Sequence, residues 1–179
     1  MRLRMLCLLL GATACASSQH AAPSTGVAQQ TFSIAGDAGA ITVTKTVTAQ
    51  TTKLAGSVDD AWKALPQVLD SLGVRATLVD PAQHLVGVEQ MKIRVNLGKT
   101  PLSRYLDCGQ TQIGPNADSY EVLLTVKSRV TPAAEGSQLS TIVDAVARPI
   151  SFRQNYSSCS TTGLLETRIA DAMKKRLLP

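Results

Sequence analysis

The side chains with the widest chemical reach here are four cysteines, Cys7, Cys15, Cys108 and Cys159, and two histidines, His20 and His84. A thiol beside an imidazole can make a nucleophile–base pair, and a cluster of both can hold zinc. The spacing supports neither. No C-x-x-C occurs, so nothing marks an exchange-active thiol or half of a zinc site. His84 follows a turn, Asp80-Pro81-Ala82-Gln83, and reaches Cys108 or Cys159 only if the fold brings them together. Gly98-Lys99-Thr100 has the ending of a phosphate loop, but the glycine needed five residues earlier is Ile93. No G-x-S-x-G presents a serine nucleophile. Asn155-Tyr156-Ser157 matches a glycosylation acceptor, a coincidence if the chain is bacterial. The expectation is a protein that is not an enzyme, with no catalytic residue, no metal site and no cofactor.

The cysteines carry more information as address labels. Arg2 and Arg4 precede an apolar run from Leu6 to Leu10, and the small residues Gly11, Ala12, Thr13 and Ala14 lead to Cys15. Apolar character then ends, well short of the about 20 residues a spanning helix needs. This is the pattern of an export signal. Ala12-Thr13-Ala14-Cys15 resembles the cleavage motif of bacterial lipoproteins, with Ala12 where that family usually has Leu. The resemblance implies that residues 1–14 are a signal peptide and that Cys15 is lipidated as the first mature residue. It also implies anchoring through that lipid in the outer membrane, facing the periplasm, because Ala16 and Ser17 replace the Asp that often retains the family at the inner membrane. The same residues satisfy the A-x-A pattern of ordinary secretory cleavage, and that alternative stays open.

Cleavage before Cys15 removes Cys7. If Cys15 carries lipid, Cys108 and Cys159 remain as an even pair in an oxidising compartment, and a structural disulfide is expected. It would close a loop of about 50 residues, worth on the order of 4 kcal/mol in the chain-entropy model. The leader also contributes two of the charges behind the formal +5, so the mature surplus is smaller. Such a surplus does not argue for nucleic acid as a partner. An aromatic content of 3% also argues against a stacking platform.

The elements follow from period and punctuation. Residues 15–30, rich in Ser, Ala, Gln, Thr and Pro, read as a tether of roughly 20 Å. Residues 31–179 read as one domain. Asp37-Ala38-Gly39 is a turn, and Ala40 to Leu54, rich in Thr and Val, a strand. From Ser57 to Leu72, Val58, Ala61, Trp62, Leu65, Val68, Leu69 and Leu72 recur as one helical stripe. Ser57 caps the start, Asp59 and Asp60 suit the dipole, and Gly73 stops it. Pro66 is predicted to kink this helix. Trp62, the only tryptophan, is the expected core anchor.

A short strand is expected at Val74 to Val79. Leu85 to Leu97 is extended but changes phase: Val86 and Val88 alternate on one parity, Ile93, Val95 and Leu97 on the other. A strand cannot switch faces without an extra residue, so a bulge is predicted near Glu89 to Met91. The stretch Gly98 to Ala117 reads as loop, with room for a short strand at Ser103 to Leu106. Tyr120 to Val130 and Leu139 to Ala147 alternate cleanly and should form an antiparallel hairpin. A last helix runs from Gly163 to Leu177, its stripe made of Leu165, Ile169, Ala172, Met173 and Leu177.

Strand, helix, several strands, helix predicts an α+β domain: one antiparallel sheet covered on one face by two helices. With the Val58-Asp59-Asp60-Ala61-Trp62 helix start, this order is similar to helix-grip folds. These include lipoprotein C of the outer-membrane β-barrel assembly machinery and the START-like ligand-binding domains. No residue role carries over from that similarity. The functional expectation is a non-enzymatic cell-envelope lipoprotein, held at the membrane by its N-terminal lipid and binding another protein or assisting assembly. The alternative is a carrier or sensor with an apolar small molecule in a helix-grip groove.

Overall fold

The computed structural model describes residues 24–36, 39–151 and 154–178. Cys7, Cys15, His20 and the Asp37-Ala38 part of the first turn lie outside the described residues. Two long strands come first, β1 (Ser24–Gly36) and β2 (Gly39–Leu54), followed by α1 (Val58–Ser71), β3 (Leu78–Asp80) and β4 (Leu85–Ile93). Short ladders follow: β5 (Asn96–Leu97) with β6 (Thr100–Pro101), then β7 (Leu106–Asp107), then β8 (Gln110–Thr111) with β9 (Gly114–Pro115). The long hairpin of β10 (Glu121–Pro132) and β11 (Ser137–Arg148) comes next, then β12 (Ser157–Thr161) and α2 (Leu164–Arg176). The main sheet runs β1-β2-β11-β10-β4-β3, with β12 also on β11 and β7 on β12, and its pairings are antiparallel. α1 packs on β10 and β4, α2 on β11 and β2, and the helices on each other. The protein is thus the α+β arrangement expected.

The hairpin shows why. Along β10 the buried residues are Val122, Leu124, Val126, Ser128 and Val130; along β11 they are Ser137, Leu139, Thr141, Val143, Ala145 and Ala147. The register places these opposite one another, from Val122 against Ala147 to Val130 against Leu139. A period of two therefore gives one continuous apolar face for the helices. Ser128 and Thr141 are the polar members, and their hydroxyls bond each other at 3.0 Å, so burying them leaves neither unpaired.

The predicted bulge is present. Leu124 opposes Met91 and Val126 opposes Val88, so the one residue between them on β10, Thr125, faces two on β4, Glu89 and Gln90. Gln90 has φ 50°, and its N–H is taken by the Thr125 hydroxyl at 3.1 Å. The bulge moves the inward phase of β4 from the even positions Val86 and Val88 to the odd ones Met91 and Ile93. Gly87 lies where a Cβ would fall 2.1 Å from the Val126 carbonyl oxygen, so only glycine lets β4 approach β10 there.

α1 starts and stops as its sequence dictates. The Ser57 hydroxyl accepts from the Asp60 N–H at 3.1 Å, and Gly73, at φ 85°, follows the last turn. The helix continues through Pro66, which is exposed. Its buried positions are Ala61, Leu65, Val68 and Leu69. Trp62 packs against the core from the margin and is only half-buried. The small Ala61 takes the fully buried place beside it.

Three local expectations shift. β1 begins at Ser24, inside the stretch 15–30 read as tether, and pairs with β2 from Ser24–Thr51 to Gly36–Gly39. Polar residues were recruited by backbone pairing, which a burial pattern does not announce. The strand expected over Val74 to Val79 is confined to Leu78–Asp80. Ser103 to Leu106 forms a 3₁₀ turn at Leu102–Arg104 and only then the short β7.

These placements rank two substitutions on α1. Leu65→Ala should destabilise by about 2–5 kcal/mol in urea unfolding, because the removed side chain is wholly enclosed. Trp62→Ala should cost less than Leu65→Ala, and an equal or larger loss would contradict its marginal position.

Candidate functional site

Cys108 and Cys159 lie at disulfide distance, with Cα atoms 4.3 Å apart. The bond ties the segment after β7 to the middle of β12. His84 is not with them. It is at the turn before β4, its ring edge-on to Trp62 with centroids 5.8 Å apart, and its Nε2 is 3.9 Å from Asp59. Gly98 and Lys99 make the turn between β5 and β6, with no phosphate-loop geometry around them. Among the described residues, no group of three or more His, Cys, Asp and Glu converges as a metal set would.

One polar cluster is not singled out by sequence spacing. Glu121 opens β10 and faces Arg148 at the end of β11, because the hairpin register pairs those two positions. Lys92 on β4 and Tyr156, just ahead of β12, complete it. Glu121 Oε1 accepts from Arg148 Nε at 3.1 Å, Arg148 Nη2 at 2.8 Å and the Tyr156 hydroxyl at 2.6 Å. Its Oε2 lies 3.1 Å from Lys92 Nζ. The Arg148 guanidinium also rests over the Tyr156 ring, 4.6 Å from its centroid. Beside the cluster is an open cleft of about 660 Å³, bordered by Glu121, Arg148, Pro149, Ile150, Gln154 and Asn155.

These contacts decide what the carboxylate can do. The Tyr156 hydroxyl, then Lys92 and Arg148, hold its pKa down to about 2. A group so acidic and so fully engaged is a poor general base. The same hydrogen bond raises the Tyr156 pKa, which removes the phenolate as a nucleophile. The cluster is a clasp joining β4, β10, β11 and the entry to β12.

Two of the charged groups on α2, Glu166 and Arg168, also make specific contacts. Glu166 is buried; its Oε1 accepts from the Thr161 hydroxyl at 2.8 Å, while Oε2 has no partner among the described residues. Desolvation raises its pKa, and the Thr161 bond offsets only part of that. Arg168 donates from Nη1 to the Thr100 hydroxyl at 2.8 Å and to the hydroxyl of buried Tyr105 at 2.5 Å, and lies over the Tyr105 ring. Glu166 thus pins α2 to the end of β12, and Arg168 pins it to the stretch from β6 to β7.

Glu121 and Arg148 were within reach of sequence reasoning, since the hairpin turn fixes their register. Tyr156, Glu166 and Arg168 had no such signal, because they meet their partners only through tertiary packing. Comparison of the chain with family models, with curated proteins and with solved structures returned no match.

The two carboxylates predict opposite pH responses. Glu121 loses affinity for protons on folding, so its contribution is present above its unfolded value near 4.5 and disappears as pH falls toward about 2. Glu121→Gln should therefore be less stable than wild type at neutral pH and converge with it at the acid end. Glu166 gains affinity for protons on folding, so its contribution is present below 4.5 and is lost as pH rises through its raised folded value. Glu166→Gln should be more stable than wild type at neutral pH and lose that advantage on acidification. Thermal melts across the pH range read both differences.

Proposed function

We propose that this protein is a non-enzymatic lipoprotein of the cell envelope, an α+β module that works by binding another protein. In this reading, cleavage ahead of Cys15 leaves a lipid-bearing residue at the N-terminus. The link from Cys15 to the start of β1 at Ser24 then acts as the tether, holding the domain at the outer membrane on its periplasmic side.

The observation that carries the binding-module reading is the filled layer between helices and sheet. Leu65, Leu69, Leu165, Ile169 and Met173 are completely enclosed there, against Val86, Val122, Leu124 and Val126. A helix-grip carrier would hold its apolar ligand in that layer, and here the protein's own side chains occupy it. The cleft beside Glu121 is open and mostly polar in its border, which suits a docking surface better than an apolar cargo. The saturated carboxylate in that border supports the non-enzymatic part of the reading.

The anchor is tested by fractionation in the native host with mass spectrometry of the mature N-terminus. Cys15→Ser should move the protein to the soluble fraction, and Cys7→Ser should leave it at the membrane. Several acyl chains on one cysteine bind durably where one binds marginally, at about 0.8 kcal/mol per buried methylene. A soluble wild type that begins with unmodified Cys15 would establish ordinary secretion instead. Solvent extraction of the purified protein should release no stoichiometric apolar molecule, and finding one would favour the carrier.

A further inference from the structure

The two edges of the main sheet are treated very differently. At one edge, β3 is three residues long, ends at Asp80 and is followed by Pro81, so it offers little to an added strand. At the other, where no strand lies beyond β1 among the described residues, β1 spans 13 residues, Ser24–Gly36, with no Lys, Arg, Asp, Glu or Pro in it. Its register with β2 is continuous, without the bulge that would twist an edge away. A long, uncharged, regular edge is what a monomer ordinarily avoids.

The first two strands also leave the sheet. β2 pairs with β11 only from Ala49 to Leu54, opposite Ile142 to Ser137. Further along the same edge of β11, Ala145 to Ala147 pair with β12 instead. Beyond Ala49, β2 therefore has β1 as its only strand partner among the described residues. A ribbon of two strands is marginal by itself and needs a third. By register position, Gln30, Phe32, Ile34, Ile41, Val43 and Lys45 share one face of this ribbon, and Thr31, Ser33, Thr42 and Thr44 share the other.

We propose that β1 is a dimerisation edge, at which two copies of this chain join β1 to β1 in antiparallel pairing. A strand without charge has nothing to select a charged foreign partner, whereas an identical strand is self-complementary through its backbone under a two-fold axis. That axis runs perpendicular to the sheet and keeps each face on its own side, so residues of equal parity must lie opposite one another. Full overlap of the two strands places Gln30 opposite Gln30 of the second copy and Phe32 opposite Ala28 of the second copy. The two ribbons then become one four-stranded sheet, gaining about one backbone hydrogen bond per paired residue. This inference is independent of how the chain is anchored.

Sedimentation of the full chain in the micromolar range should give twice the chain mass. Thr31→Lys with Ser33→Lys, on the threonine face, should reduce it to the monomer mass, with an unchanged far-ultraviolet spectrum as the folding control. Gln30→Cys gives a second reading that does not depend on those lysines. Directly opposed Cα atoms in an antiparallel pair are about 4.5–5.5 Å apart, within disulfide reach. In a background with Cys7→Ser and Cys15→Ser, which keeps only the Cys108–Cys159 pair, mild oxidation should therefore link Gln30→Cys into a covalent dimer, while the background itself and an exposed control, Lys99→Cys, stay unlinked. A monomeric wild type overturns the proposal, whether or not it binds lipid vesicles. So does a dimer that the lysine pair leaves intact, or one that Gln30→Cys does not link.

Discussion

The structure depends on the register of the β10–β11 hairpin. From Glu121 opposite Arg148 to Pro132 opposite Ser137 the pairing runs without a slip. Because successive side chains alternate, a slip of one residue would turn the whole buried set toward water. Everything else attaches to that pair. β4 joins β10, and β2 and β12 divide the free edge of β11 between them. Both helices rest on the face that the hairpin makes apolar. With so few aromatic residues, that face is built from Val, Leu and Ala, with Ser128, Ser137 and Thr141 among them. A shallow aliphatic surface of this kind needs regular packing more than bulk, which explains why small residues such as Ala145 and Ala147 take inward positions.

What could be read from the sequence was whatever a local period imposes. The stripe of α1, the hairpin and the stripe of α2 were legible because burial repeats along each segment. The bulge at Glu89 to Met91 was legible because two alternating runs of opposite parity cannot share one unbroken strand. The Cys108–Cys159 pairing was expected from cysteine arithmetic once the N-terminus is read as an export signal. Other features depend on what lies opposite. Trp62 fell at the margin because α1 approaches the sheet through Ala61, a choice that no helical wheel distinguishes. β1 begins at Ser24 because a partner strand can satisfy its backbone whatever its side chains are. Ser128 and Thr141 interrupt the apolar pattern and still lie in the core, since each satisfies the other. The Glu121 clasp combines a register that could be counted with a tyrosine that could not.

β12 shows what the polar chemistry of this protein accomplishes. Its sequence is Ser-Ser-Cys-Ser-Thr, and only Cys159 is buried, so apolar burial contributes little to holding it. Other interactions hold it instead. The disulfide fixes its middle to the segment after β7. Tyr156, at its entry, is held by Glu121, and Thr161, at its end, by the first turn of α2 through Glu166. The Thr162 N–H then donates to the Tyr105 carbonyl at 2.9 Å, and Arg168 holds Tyr105 from the helix side. The chemically capable side chains are thus spent on seating one polar strand. That strand takes the length of β11 edge along which β2 would otherwise continue. Two strands cannot pair with one edge, so β2 must part from β11 beyond Ala49 and take β1 with it. The clasp and the open ribbon therefore have a common origin, in how the free edge of β11 is divided.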